Sequence, residues 1–429
     1  MSADQQTTQQ ETEETDKPRK AIDTSYFFQK HAIWVLLAFF LVGVWFRFVP
    51  LILVSSFLIF LGFFIIAWKN QSLKKVQPTL ELSKSRLFAG EEFQMHPAVF
   101  NDKWLPLIWL EWEFPKNKDI TIGEKERDTY FIRFLWLLSH QRVKWTIDGK
   151  AHRRGVYDLG NVKLRSGDGF RFAESEEEHS LNKSLYVYPQ LVPVMVPAFR
   201  PSMQWAAKGK NGGFLEDPLL ISGIRDYQPG DELRRFNWRA SARTGRLQRN
   251  VYQPVVSEQI MVYGDVSGFV MNRTLFEDQV EQKKYTTKQI DRFEEFLSVI
   301  ASVAVRYHDQ GIRVGYATNS ISYKGEKMSV VTPSPDLRQM LDVLAKSTQR
   351  VPQNDLVLTE LLFNRLLSGP LFIFCESVTK DHVLWYQKYK QKLPDVRFFY
   401  QKESDFAEKV NAKKLDIFLK ASGSVAEGS

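Results

Sequence analysis

Residues 257–269 read "SEQIMVYGDVSGF", and this stretch decides the fold. Ile260, Met261, Val262 and Tyr263 are apolar without a break, and the run ends at Asp265 in a short polar loop. A strand that is apolar on both faces is covered on both faces, as in a parallel sheet. The next stretch has a different period. In "KQIDRFEEFLSVIASVAVRYHD", Phe293, Phe296, Leu297, Ile300, Val303 and Ala304 recur at helical spacing. The strand "IRVGYAT" comes next, and helical patterns around 336–346 and 355–367 lead to the strand "PLFIFCES". A helix near 380–392 precedes "DVRFFYQ", and "LDIFLK" reads as a last strand. This alternation predicts a doubly wound, mostly parallel α/β domain over residues 259–420. Functional loops of such sheets lie at the carboxyl ends of the strands, so Asp265, Ser267, Thr318 and Glu376 are expected on one rim.

Working toward the N-terminus, residues 225–258 hold the segment "RDYQPGDELRRFNWRASARTGRLQRN", with seven arginines and no lysine. Pro229 fixes φ and Gly230 permits unusual angles, so "QPGD" is a turn. Asp231 is placed to cap a helical stretch that Gly245 ends. Leu233, Phe236 and Ala240 would form its buried stripe, and Trp238 would seal it against the domain. Two readings of the arginines stay open. In one, Arg225 and Arg243 pair with Asp226, Asp231 or Asp265 and brace the segment, since a planar, always-charged guanidinium suits half-buried pairs better than lysine. In the other, they recognise an anion on a partner or lipid, with Arg239, Arg246 and Arg249 facing outward because they lack an acidic neighbour. Nucleic acid is not expected: interleaved stacking aromatics and a known nucleic-acid fold are both missing.

Residues 76–195 have the period of a half-buried sheet. In "LIWLEWEF", Ile108, Leu110, Trp112 and Phe114 alternate with Glu111 and Glu113, and "RVKWTI" repeats the pattern with Val143, Trp145 and Ile147. Turn signals at Ala89-Gly90-Glu91, Asp148-Gly149 and Ser166-Gly167-Asp168 space out short strands of an antiparallel β-sandwich-like domain. "FIRFLWLL" (131–138) is unusually apolar, and reads either as core or as a contact with a nearby bilayer. Residues 196–224, rich in Gly, Pro and Lys, read as a linker or long loop.

Residues 1–30 read as a disordered tail, and 31–69 as a helical hairpin. "HAIWVLLAFFLVGVWF" and "LILVSSFLIFLGFFIIAW" would together make one helix of about 57 Å, against a bilayer core of about 30 Å. Arg47 and Pro50 break it into two antiparallel spans, with a shallow re-entrant hairpin as the alternative. Lysines and arginines flank both ends, which places both termini in the cytoplasm and the chain in the inner or plasma membrane. The apolar region is doubled and lacks a small-residue cleavage site, unlike a signal peptide.

Arg225, Tyr227, Pro229, Gly230, Asp231, Arg234, Trp238, Ser241, Ala242 and Arg243 resemble, in order and spacing, the signature of domain-of-unknown-function family 58, with Phe236 in place of its usual Ile. "RRGVYDLGNVKLRSGDGF" (153–170) resembles the family's second signature, although its usual Asp-Pro-Phe-Gly is altered. The resemblance implies a von Willebrand factor A-like C-terminal domain and partnership with a MoxR-type AAA+ ATPase that remodels or matures client proteins. It implies no reaction. It also implies a Mg²⁺ site of the form Asp-x-Ser-x-Ser, in which alternate residues of a turning loop aim oxygens at one hard cation. Here Asp265 and Ser267 remain, Phe269 takes the third position and cannot ligate, and Glu376 stands where an Asp is expected. Mg²⁺ binding is therefore expected to be weak at most.

Composition narrows the rest. The chain of 429 residues is 44% hydrophobic with a net charge of +8 from 58 basic and 50 acidic residues, so it has folded domains with local basic patches. Cys375 is the single cysteine, which rules out an internal disulfide and fits a reducing compartment. The seven histidines include no H-x-x-x-H pair, and there is no phosphate-cradling G-x-x-x-x-G-K-[ST]. The expectation is therefore an α+β, membrane-anchored scaffold or adaptor without catalytic residues, its clients unnamed. The alternatives are a metal-dependent peptide or protein receptor, or a hydrolase using Asp265 and Glu376.

Overall fold

The computed structural model describes residues 24–114, 117–123, 132–169, 171, 173–198, 216–229, 231–254, 258–270, 279–352, 357–364, 366–367, 369–393 and 395–419. It is a mixed α+β chain in two compact units. One comprises the chain through Ser85 with Glu92–Ala151 and Tyr157–Leu185; the other comprises Arg86–Glu91, His152–Val156 and the chain from Tyr186 onward.

The first unit begins with two helices, Thr24–Trp45 and Val49–Ser72. Arg47 adopts a positive φ in the turn between them, and Pro50 occupies the first turn of the second helix, where its missing N–H is harmless. The helices touch where Gly43 meets Ile52; a Cβ on Gly43 would approach that side chain to 3.1 Å. Val49–Ser72 is long and apolar enough to cross a membrane; the apolar part of its neighbour, Ile33–Trp45, is shorter. The second helix runs almost directly into the β-domain: the strand Val76–Leu82 starts after three residues. Lys103 Nζ donates to the free carbonyl of Ser72 at 2.6 Å, which satisfies one acceptor at the helix end. Burial lowers the Lys103 ammonium to about 8.

Two antiparallel sheets come next. One has the order Val76–Leu82, Glu92–Asn101, Ile147–Ala151, Ile120–Ile122, with Arg142–Lys144 also paired to Glu92–Asn101. The other runs Glu174–Ser180, Asn161–Gly167, Leu107–Glu113, Ile132–Leu137. Trp112 of the second sheet stands edge-on to Trp145 beside the first, centroids 5.3 Å apart. Leu110, Trp112 and Phe114 are buried as their alternation predicts. Ile108 is not: the ladder slips between Leu107 and Leu110, so Leu107 turns inward and Ile108 outward. Asp148-Gly149 is no turn but the middle of a strand, where Gly149 leaves room for the Phe93 ring, 2.7 Å from where a Cβ would stand. Within 131–138 one face only is core: Leu137 is buried, while Phe134, Trp136 and Leu138 are exposed, and Phe131 lies outside the described residues.

In the second unit a six-stranded sheet has the order Val331–Ser334, Arg313–Thr318, Gln259–Asp265, Leu371–Cys375, Val396–Tyr400, Lys413–Lys414. All its pairs are parallel except that of Val331–Ser334, an edge strand the sequence reading did not anticipate. The helix Gln279–Asp309 lays Phe293, Phe296, Leu297, Ile300, Val303 and Ala304 on one sheet face against Val262, Val314 and Phe374. Helices Val357–Phe363 and Lys380–Tyr389 bring Leu358, Leu361 and Val383 to the layer that holds Met261, Tyr263, Ile373 and Phe398. "LDIFLK" is not a strand. Asp416–Leu419 is a helical turn that buries Phe418 against Phe399, centroids 4.9 Å apart. Cys375 is buried mid-sheet, and burial raises its thiol well above the ordinary range.

Candidate functional site

The rim forms where the central strand Gln259–Asp265 ends. Gly264 is required there, because a Cβ would meet the Tyr316 hydroxyl at 2.7 Å. The chain then turns through Ser267–Phe269, and Phe269 drops into the core against Phe293 and Phe296. Asp265 is buried with both oxygens of its carboxylate engaged. Oδ1 accepts from Asn319 Nδ2 at 2.6 Å and from the Ser267 N–H at 2.9 Å, and Oδ2 lies 3.0 Å from His382 Nε2. His382 comes from the first turn of the helix Lys380–Tyr389, in a capping box: Thr379 Oγ1 accepts from the His382 N–H, and His382 Nδ1 accepts from the Thr379 N–H. Because Nδ1 accepts, the imidazole proton sits on Nε2 and is donated to Asp265. Burial pushes the Asp265 carboxyl up, but the His382 and Ser267 donors outweigh it and hold the group below its ordinary range.

Of the expected rim residues, Asp265, Ser267 and Glu376 come together. The Glu376 side chain lies against Gly268, and burial raises its carboxyl despite the pull of Lys402 and Arg292. Thr318 turns away, donating to the Gly264 carbonyl at 2.8 Å. A hard cation needs several free oxygens around one point. The donor set does not fit one: a side-chain imidazole, a side-chain amide and a backbone amide already bond to both Asp265 oxygens, and Phe269 is core. Among the described residues no cluster of three or more His, Cys, Asp or Glu has ligand geometry.

The arginine segment is a two-stranded ribbon, Glu216–Asp226 with Gln248–Pro254, around a short 3₁₀ turn and the helix Trp238–Thr244. The ribbon begins inside the stretch read as a linker, of which 199–215 lie outside the described residues. Its register sets Arg225 directly opposite Arg249. Like charges facing each other are unfavourable, and Asp231 supplies the counter-charge to both: Arg225 Nη2 reaches its Oδ1 at 2.8 Å and Arg249 Nη1 bonds the same oxygen. The Gln228 N–H, then Arg225 and Arg249, hold the Asp231 carboxyl below its ordinary range. Asp231 thus closes the turn and is no helix cap; Asn237 caps, and Gly245 ends the helix at φ 66°.

Three further expectations for the segment change. Arg249 is a brace and not an outward group. Arg243 is exposed and makes no ion pair among the described residues, and Asp265 is engaged by His382 instead. Leu233 is exposed, so no buried stripe exists; Tyr227, Phe236 and Trp238 stack edge-on in series at 5.0 and 5.5 Å, with Trp238 outermost. Pro229, Arg234, Arg239, Ala242 and Arg246 are exposed, and Gly230 lies outside the described residues. Ser241 ties helix to ribbon by donating to the Asn237 carbonyl and accepting from the Gln248 N–H at 2.8 Å.

Sequence reasoning missed His382, Asn319 and Arg154. Arg154 is almost fully buried: it forks onto Glu294 at 2.8 and 2.9 Å and donates to the carbonyls of Leu344, Ala345 and Ser347 at the end of the helix Arg338–Lys346. Its place inside "RRGVYDLG" was the available signal.

Comparison with known proteins bears on this half of the chain. Residues 223–362 match the family described as "Protein of unknown function DUF58". That span takes in Arg225, Asp231, Arg249 and Asp265, while Glu376 and His382 lie beyond it. The "Uncharacterized protein YeaD" of Bacillus subtilis is similar at 21% identity over 253 residues, 57% of this chain. The chain spans 56% of that relative's length. Among solved structures, the CARDB domain of a Pyrococcus furiosus protein in complex with di-metal ions matches at 11% identity over 27% of this chain and 94% of its own, with a TM-score of 0.17. A GH20 exo-β-N-acetylglucosaminidase of Vibrio harveyi matches at 8% identity over 71% of this chain and 57% of its own, with a TM-score of 0.19. At those scores neither carries an argument about fold or function.

Proposed function

We propose that the chain is a membrane-anchored, cytoplasm-facing adaptor that docks a MoxR-type AAA+ ATPase or its client, with no chemistry of its own. The two apolar helices form an N-in, C-in hairpin in the inner or plasma membrane. The parallel sheet with helices on both faces is a von Willebrand factor A-like domain whose cation has been replaced by the His382 proton. One observation carries the reading: Arg225 and Arg249 spend their charge on Asp231, while Arg234, Arg239, Arg243 and Arg246 on the same ribbon stay exposed. Guanidinium groups that the fold does not consume suit an acidic partner segment. Binding is favoured over hydrolysis by Asp265 and Glu376, because both Asp265 oxygens are already hydrogen-bonded within the fold.

The test is recovery of the ATPase with the full-length chain from native membranes. Arg239→Glu with Arg246→Glu should abolish recovery while changing urea-unfolding stability by under about 0.5 kcal/mol, as surface substitutions do. Undiminished recovery would remove the ribbon from the interaction.

A further inference from the structure

The outer face of the four-stranded sheet changes character along its length. At one end are the ion-paired Glu111, Glu113, Lys163, Arg165, Glu176 and Glu178. At the other end Ile108, Trp136 and Leu138 are exposed, Phe134 comes one alternation further in, and Trp104 is 82% exposed on the adjoining loop. The register sets Leu107 opposite Leu137 and Glu113 opposite Ile132, so the two ends are about 20 Å apart at roughly 3.3 Å per residue.

The apolar end is the one tied to the membrane helix. Lys103, next to Trp104, donates to the Ser72 carbonyl. The Asp102 N–H donates to Lys75, and the Lys103 carbonyl accepts from Ser139 Oγ and the His140 N–H, which fixes the 138–141 turn to the same place. Arg171 lies over the Trp109 and Phe134 rings, a cation at the upper boundary of the patch. Exposed aromatics level with the end of an apolar helix, with basic residues around them, match the composition of a membrane interface.

We propose that Trp104, Ile108, Trp136 and Leu138 insert into the headgroup–acyl boundary of the bilayer that Val49–Ser72 crosses, so that the β-domain is seated in the membrane surface and not suspended above it. The occupant is lipid because the patch lies beside the end of that apolar helix, to which Lys103 ties it, within one compact unit. The inference rests on the membrane-spanning reading of the helix.

The test uses the full-length chain with Cys375→Ala in vesicles of three parts phosphatidylcholine to one part phosphatidylglycerol. A fluorophore is attached to a single cysteine in Trp136→Cys, Trp104→Cys, Val54→Cys or Glu178→Cys. Labels at 136 and 104 should be quenched several-fold less by iodide than the label at 178, and most strongly by a nitroxide placed shallow in the acyl chain. The label at 54 should respond to a deep nitroxide. If 54 reads deep while 136 and 104 are as open to iodide as 178, the seating is wrong and the span stands. If 54 is open to iodide, the span itself fails and the proposal with it. Labels at 136 and 104 that are shielded from iodide yet unaffected by lipid nitroxide would assign the patch to protein and overturn the proposal.

Discussion

Asp265 and Asp231 are each held by basic side chains, yet they belong to regions built in opposite ways. Asp265 is buried at the end of a central strand, and its side-chain partners, Asn319 and His382, come from far along the chain. Asp231 lies in a ribbon whose bracing partners, Arg225 and Arg249, come from the ribbon itself. The first pairing is a feature of the whole α/β core, the second of a local module. A carboxylate held by a basic side chain therefore says little until its surroundings are known.

The sharpest break of this comparison is Asp265→Ala. It strands a buried imidazole N–H, an amide and a backbone N–H, and should cost roughly 3–5 kcal/mol in urea unfolding of the full-length protein. Asp231→Ala should leave that unfolding midpoint in place and instead open residues 216–254 to limited proteolysis. If both variants shift the global midpoint alike, the ribbon is not a separate module. Phe269→Ser restores the oxygen type that a cation site would want, but it empties a buried aromatic position. We expect a loss of about 3–5 kcal/mol and no rise in melting temperature with millimolar Mg²⁺. A Mg²⁺-dependent rise would show that His382 does not hold the place of the ion. Arg154→Met removes donors from three helix-end carbonyls and the fork onto Glu294, and should cost about 3–5 kcal/mol in the same unfolding assay.

The smallest effect is in acid. The folded Asp265 carboxyl lies below its unfolded value of about 4, so its contribution is fully present above that pH and is lost as pH falls through the folded value. The stability gap between the native protein and Asp265→Ala should thus be constant at neutral pH and shrink only below about pH 4.

The helix carrying Phe293, Phe296 and Ile300 was legible because a 3.6-residue period survives in any register. So was the covered central strand, because its apolar run has one physical explanation. Ile108 was misread because a ladder slip changes which side chain faces inward and leaves no mark in composition. Arg249 was misread for a related reason. Taken as helical, the segment puts Arg249 far from Asp231; as a ribbon it sets Arg249 across from Arg225. His382 could not be paired with Asp265 from sequence, since 117 positions separate them and only the fold of the parallel sheet closes the gap. The short turn Asp416–Leu419 shows the remaining ambiguity, as its three-residue apolar run fits either period.

The join at Ser72 has a mechanical meaning. Only three residues separate the apolar helix from the first strand, and Lys103 clamps the helix end to the sheet. Fully drawn out, such a link spans only about 10 Å in all. A pull on the β-domain would therefore reach the helix as load with almost no stretch, as through a rod and not a rope. A torque would be transmitted in the same way, so the helix and the first strand would turn as one piece.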